Sequence, residues 1–263
     1  MKKPDYVAIA KEYMSGVLDG SVPACSFVKQ AVQRQLNDLR RWGPEGGDYY
    51  FDEKEASRPC WFIENLTHTK GELAGRAIHL EPWQCFLLTT LFGWKAKAGN
   101  RRFRSAYVEV GRGNGKSTLL SGIGLFCLCA DHEPGAEVYS FATTREQAKI
   151  VFGDAQTMAR GNRALQEAYG LEVTAHALYV PATNSTFQAK SAEGSTLDGL
   201  NTHLAIIDEL HAHKKRDVFD VVETSLGKRR NSLMVSITTA GVDRAGICYE
   251  QRTLVTKILS GSR

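Results

Sequence analysis

The sequence has no C-x-x-C pair, no secretory leader, no membrane-length apolar run and no strong excess of either charge. Its six cysteines are Cys25, Cys60, Cys85, Cys127, Cys129 and Cys248. Without C-x-x-C spacing they lack the usual signature of a zinc site or a dithiol redox centre. Cys127 and Cys129 stand two apart in a helical stretch and so face different directions. All six are expected as reduced thiols of a cytosolic protein. The N-terminus carries no apolar leader core. No apolar run approaches the ~20 residues of a membrane span, so a soluble protein is expected. The formal net charge of +4 is mild, permitting a nucleic-acid partner without requiring one. What is present is ordinary globular composition: 263 residues, 43% hydrophobic and 24% charged. That length suffices for one large α/β core with a small appendage.

The strongest local signal is Val110-Gly111-Arg112-Gly113-Asn114-Gly115-Lys116-Ser117-Thr118. A β-prone run, Ala106 to Val110, precedes it, and an apolar helical run from Leu119 follows. Strand, glycine-rich loop and Gly-Lys-Ser opening a helix form the context of a phosphate-binding loop. The glycines let backbone N–H groups turn inward as an anion nest. The helix start adds unpaired N–H groups and the positive end of its dipole. Lys116 is placed to reach the β- and γ-phosphates of a nucleotide, and Ser117 to put its hydroxyl on Mg²⁺. Val110 stands where the pattern G-x-x-x-x-G-K-[ST] has its first glycine; Gly111 and Gly113 are expected to supply the freedom instead.

His203-Leu204-Ala205-Ile206-Ile207-Asp208-Glu209 is the second signal, an apolar strand ending in two carboxylates. In a nucleotide hydrolase the first orders Mg²⁺ and the second polarises the attacking water. His211 and His213 follow at spacing two and are read as loop residues, since no third metal ligand is apparent. Ser232 to Ile237 is another strand, tipped by Thr238-Thr239-Ala240-Gly241. Hydroxyls at such a tip can sense the γ-phosphate, or the tip is an ordinary turn.

Elsewhere, residues 1 to about 50 read as amphipathic helices, with Ser26 to Trp42 carrying a solvated basic face. Gly43 to Gly47 reads as a loop, and Asp52 to about Leu66 as a helix interrupted by Pro59. Pro82 opens a helix bearing Gln84, either a reader of an adenine edge or a surface glutamine. Arg101-Arg102-Phe103-Arg104 is either a phosphate-backbone contact or a solvated approach to the first core strand. Glu137 to Ala142 is a strand, and Thr143 or Thr144 caps the following helix with Gln147 in a capping box. The segments 171–174, 178–181 and 186–190 are short edge strands. Leu197 to Asn201 is a turn, Asp217 to Leu226 a helix with Lys228, Arg229 and Arg230 at its C-terminal end, and Gly246 to Leu259 a last helix.

Together these residues resemble the ATPase domain of the large terminase subunit of tailed bacteriophages. The carriers are Trp83-Gln84, Gly111 to Thr118, Ala142 to Arg145 with Gln147-Ala148, Leu204 to His211 and Ile237 to Gly241. In that family the phosphate loop often departs from the strict pattern and carries an arginine, as Arg112 does here. The resemblance implies an α/β fold, a P-loop NTPase three-layer sandwich with a mainly parallel sheet, of the additional-strand, catalytic-glutamate class. It implies an N-terminal helical extension over residues 1–75 and an ATPase domain over residues 76–263.

The cofactors so implied are ATP and Mg²⁺. Gln84 would contact adenine, and Gly111, Arg112, Gly113, Asn114, Gly115, Lys116, Ser117 and Thr118 would line the phosphates. Ser117 and Asp208 would hold Mg²⁺, Glu209 would activate water, and Thr238 and Thr239 would match the coupling motif. An arginine would complete a neighbouring subunit's site: Arg145, Arg229 and Arg230 are candidates in trans, with Arg112 in cis. The implied partners are double-stranded DNA, further copies in a ring, a portal protein and a small terminase subunit, in the cytoplasm of an infected bacterium. The chain stops at Arg263, soon after Gly241, so no RNase H-like nuclease is expected. A helicase-like P-loop ATPase, a nucleotide-binding structural protein and a small-molecule kinase are the competing readings.

Overall fold

In the computed structural model, residues 3–42, 47–191, 199–213, 216–241, 244 and 246–261 are described, the side chains of Arg145 and Ser191 excepted. Most of the Gly43–Gly47 loop and Leu197-Asp198 of the expected turn therefore lie outside the described residues. The chain forms two compact units. One comprises residues 1–65, 79–103 and 252–263; the other comprises residues 66–78 and 104–251.

The first unit holds α1 (Tyr6–Asp19), α2 (Ser26–Trp42), α3 (Glu53–Glu64) and α4 (Pro82–Gly93). Asp5 caps α1 and Asp52 caps α3, each accepting from N–H groups of the first turn. Pro59 is buried within α3, which continues past it. A short antiparallel pair that periodicity did not reveal, β1 (Tyr49–Phe51) with β2 (Trp94–Ala96), completes the unit. Three residues per strand are too few to show an alternation. Two long-range side-chain hydrogen bonds tie the unit: Trp94 Nε1 donates to Gln35 Oε1 at 2.8 Å and Tyr6 OH donates to Glu64 Oε2 at 2.6 Å.

The second unit is built on a seven-stranded sheet of order β3-β9-β8-β4-β7-β6-β5. Its strands are β3 (Ser105–Glu109), β4 (Glu137–Ala142), β5 (Glu172–Val173), β6 (Leu178–Val180), β7 (Ser185–Ser191), β8 (Thr202–Asp208) and β9 (Leu233–Thr238). From β3 to β7 the pairing is parallel; β6 and β5 add an antiparallel edge. The last strand in sequence, β9, lies between the strand feeding the glycine loop and the strand ending in Asp208. This is the additional strand that the resemblance implied.

Helices cover both faces. On one, α5 (Lys116–Cys129) and α6 (Arg145–Gly161) pack on the sheet. Nearly every side of α5 is apolar because it is almost wholly buried. On the other face α8 (Asp217–Ser225) and the first turn of α9 (Ile247–Ser260) join Tyr139, Phe141, Ala205, Ile207 and Met234 in a continuous core. Alternation along β8 sends Ala205 and Ile207 to this face and Ile206 toward α5. The remaining helix, α7 (Arg163–Tyr169), follows α6 and is capped by Asn162. Among the described residues no helix is long and apolar enough to cross a membrane.

The arginine cluster before β3 divides: Arg104 is exposed at the strand entry, as the solvated reading expects, while Arg102 is mostly enclosed. Arg102 pairs with Asp38 at 2.9 Å and stacks on Tyr49, Trp94 and Phe103. Arg104 bonds Ser232 Oγ at 2.6 Å, Arg229 O at 3.1 Å and Leu226 O. Both guanidiniums also serve acceptors or aromatic faces of their own chain, contacts that sequence cannot distinguish from solvated charge.

Candidate active site

The parallel order brings the C-terminal ends of β3, β8 and β9 side by side, and each carries an element of the candidate site. β3 runs directly into the glycine loop, and Val110 N–H donates to Thr238 O at 3.0 Å, tying the loop's first residue to the tip of β9. Within the loop Gly113 has φ 80° and Gly115 φ 68°, a region closed to most side chains. Gly111, expected to share that role, does not have a positive φ; a Cβ there would meet only Asn114 Nδ2, at 3.5 Å. The freedom is needed immediately before Lys116, where Gly115 turns the chain into α5. Asn114 braces the turn, its Nδ2 donating to Gly111 O at 3.1 Å and Arg112 O at 3.3 Å. Residues 111–115, including Arg112, are exposed.

Lys116 is buried, with its Nζ 3.6 Å from Glu209 Oε1. Beside it, Asp208 is only 7% exposed. Burial, and then the charge of Glu209, push the Asp208 carboxyl up to about 6. The Glu209 backbone N–H, donating to Asp208 Oδ1 at 2.9 Å, and the charge of Lys116 oppose the rise. Glu209 itself takes the left-handed conformation, φ 48° and ψ 52°, which costs a non-glycine residue ~1–2 kcal/mol. Strain of this kind is retained where the surrounding structure enforces it, commonly at functional sites. It turns the chain sharply off β8, so that Glu209 faces Lys116 instead of continuing the strand.

A cation bound beside this buried carboxylate would offset the rise. Glu209 Oε2 is likewise buried without a hydrogen-bond partner, although His211 Nδ1 stands 3.2 Å away. Oxygen donors such as the Asp208 carboxylate and the Ser117 hydroxyl are of the type that a hard divalent cation such as Mg²⁺ takes. Ser117 and Thr118 lie half-buried in the first turn of α5.

The other predicted residues are distributed as follows. Gln84 belongs to the first unit, where its Oε1 accepts from Glu81 N–H at 2.9 Å and closes a capping box at the start of α4. The Glu81-x-x-Gln84 spacing was the unread signal for this contact. Arg145 opens α6 after its N-cap Thr144, which accepts from Gln147 N at 3.3 Å. Its side chain is outside the described residues. The Gln147 side chain meets Thr143 Oγ1 at 2.5 Å, not the N-cap N–H.

Arg229 lies at the opposite end of the sheet, 11% exposed. It pairs with Glu133 at 2.9 Å and donates to the carbonyls of Asn201 at 2.8 Å, Pro134 at 3.1 Å and Gly135. Lys228 donates to Leu200 O at 2.7 Å, so neither cation caps α8 as the helix-end reading expects. Arg230 is exposed.

His211 follows Glu209 on a single 3₁₀ turn, residues 210–212. Its ring reaches the β9 tip, with Nδ1 2.9 Å from Thr238 Oγ1 and 3.5 Å from Thr239 Oγ1. His213 is buried and held toward its neutral form by that burial. Among the described residues neither histidine belongs to a cluster of three metal-ligating side chains.

A profile of the family Terminase large subunit, ATPase domain, matches residues 82–257. The chain is 31% identical over 190 residues to the terminase large subunit of Enterobacteria phage HK97, covering 71% of this chain and 37% of that protein. It is 22% identical over 228 residues to the terminase large subunit of Lactococcus phage p2, covering 84% and 41% respectively. The crystal structure of the HK97 bacteriophage large terminase aligns with a TM-score of 0.65 at 29% identity, over 78% of this chain and 42% of that one. The chain thus spans 37–42% of the length of these relatives. The glycine loop, the carboxylate pair and the inserted strand all fall inside the matched residues, and the chain belongs to the family of phage large terminase subunits, as their ATPase domain.

Proposed function

We propose that this chain hydrolyses ATP to drive double-stranded DNA into a viral procapsid, as the motor portion of a packaging terminase. The observation that carries the reading is the meeting of Lys116, Asp208 and Glu209 at adjoining strand ends, with Lys116 Nζ 3.6 Å from Glu209 Oε1. In this reading the backbone N–H groups of residues 111–118 and the Lys116 ammonium hold the phosphates. Ser117 and Asp208 hold Mg²⁺, which when bound neutralises phosphate charge. Glu209 accepts a proton from water as the water oxygen bonds to the γ-phosphorus and the bond to the bridging oxygen breaks. Without nucleotide the Lys116 and Glu209 charges offset each other, and ATP draws Lys116 toward its phosphates.

Thr238 and Thr239 carry loss of the γ-phosphate into movement of the β9 tip. A neighbouring copy in a ring supplies an arginine, Arg145 or Arg230, with Arg112 acting in cis. A portal protein, a small terminase subunit and DNA are the proposed partners. In this assignment residues 76–263 form the ATPase domain and residues 1–75 its helical extension, a division along the sequence that differs from the two compact units, since residues 79–103 and 252–263 belong with the first.

Two variants test the chemistry. Lys116→Ala should abolish thermal stabilisation by ATP-Mg²⁺. Glu209→Gln should keep that stabilisation while turnover falls by ~10²-fold or more. Stabilisation of Lys116→Ala equal to that of the unaltered protein would remove the phosphate-loop assignment. Undiminished turnover by Glu209→Gln would move the catalytic carboxylate elsewhere.

A further inference from the structure

His211 connects the two halves of the site at one nitrogen. Thr238 Oγ1 gives its single proton to Thr239 O at 2.8 Å and accepts from His211 N at 3.2 Å. With its proton so placed, the same oxygen can only accept from the imidazole. In the tautomer protonated at Nδ1, His211 donates to it across 2.9 Å. Glu209 Oε2 lies 3.2 Å from the same nitrogen without being hydrogen-bonded to it, a buried oxygen left with no partner in this state. The ring nitrogen thus bonds the β9 tip, with the carboxylate proposed to activate water as its nearest alternative acceptor.

The ring is also confined. A Cβ on Gly241 would lie 2.9 Å from His211 Cβ, so the Thr238-Thr239-Ala240-Gly241 segment closes against the histidine and leaves no room for a side chain at its fourth position. Thr238 is fully buried, and its carbonyl holds Val110 N–H at the start of the phosphate loop. A displacement of the β9 tip is therefore felt at the His211 donor.

We propose that His211 is a positioning residue that orients Glu209 for water activation through Nδ1–H, sharing this donor with Thr238 and so linking the carboxylate to the coupling segment. This rests on the ATPase reading above. When the β9 tip draws Thr238 away, the proton turns to Glu209 Oε2 and fixes the carboxylate; when Thr238 returns, Glu209 is released. The histidine touches neither substrate nor metal and exchanges no proton with them.

The test uses the full chain and ATP-Mg²⁺, with kcat and KM measured for His211→Ala, His211→Asn and His211→Gln. An asparagine N–H occupies nearly the place of Nδ1–H, whereas a glutamine N–H lies one carbon farther out. His211→Ala and His211→Gln should lose ~10–100-fold in kcat with KM little changed, the scale of a misplaced catalytic group. His211→Asn should recover most of the rate. In a Glu209→Gln background, His211→Ala should add no further loss, because the carboxylate it positions is gone. Gly241→Ala, which pushes the ring aside while keeping it, should reproduce the kcat loss and serves if His211→Ala does not fold.

Wild-type kcat in both His211→Ala and Gly241→Ala overturns the inference. So does a loss carried by KM, an equal loss in Asn and Ala variants, or a full additional loss in the Glu209→Gln background. Absence of ATP turnover by the unaltered protein, or full turnover by Glu209→Gln, overturns the ATPase reading and this inference with it.

Discussion

Asp208 carries the clearest electrostatic consequence of burial beside Glu209. Its carboxyl ordinarily titrates near 3.8 and is pushed up to about 6 here, so between those values the folded state binds more protons than the unfolded chain. Stability from this group is thus fully present below about pH 4 and lost as pH rises to about 6, by at most roughly 3 kcal/mol. Asp208→Asn keeps the shape and removes the charge. Without nucleotide or Mg²⁺, its melting temperature should exceed that of the unaltered protein by several degrees at pH 7, and the gap should narrow toward pH 4. Melting curves that run parallel across this range would show the charge to be already compensated. The residue types at this site were legible in the sequence, as an apolar run closing in Asp-Glu. The left-handed turn at Glu209 was not, because nothing about a glutamate announces a conformation that only its surroundings enforce.

Among the elements, α5 has two separate demands on it. Its N-terminus must open onto the loop with unpaired N–H groups, and its body must lie flat on the sheet. The second demand appears at Gly124, where a Cβ would fall 2.6 Å from Phe187 Cε1 on β7. Gly124→Ala should therefore destabilise the protein by ~1–3 kcal/mol through overpacking. Denaturant unfolding would register this as a lowered midpoint with an unchanged slope. An unchanged midpoint would mean that Phe187 yields without strain. Helix positions were readable from periodicity and, as at Thr144, from caps, because those signals are local. The β1–β2 pair was not, since its partners are brought together only by α3 and α4 folding between them.

At the scale of the molecule, the end of the sheet opposite the site is closed by Arg229. Its guanidinium bridges Glu133, two carbonyls of the 134–135 turn and Asn201, joining the segments that lead into β4, β8 and β9. An arginine so placed is held by its own chain, and that argues against donation to a neighbour. Arg229→Ala should cost roughly 2–4 kcal/mol of stability, because Glu133 and several acceptors lose a partly buried donor. Turnover per folded molecule should stay near wild type. A melting temperature unchanged alongside a large loss of turnover would instead return Arg229 to the shared-site role.

The sequence by itself determined the chemical inventory: a glycine loop opening a helix, a carboxylate pair ending a strand, and hydroxyls at another strand's tip. Each is written in consecutive residues, where spacing and local backbone preference suffice. Tertiary structure alone decided which of them meet. The insertion of β9 between β3 and β8 set Thr238 beside the loop and His211 between Thr238 and Glu209, and the packed ends of the sheet chose which arginines are buried partners. Those choices depend on strand order and register across distant segments, and no local pattern encodes them.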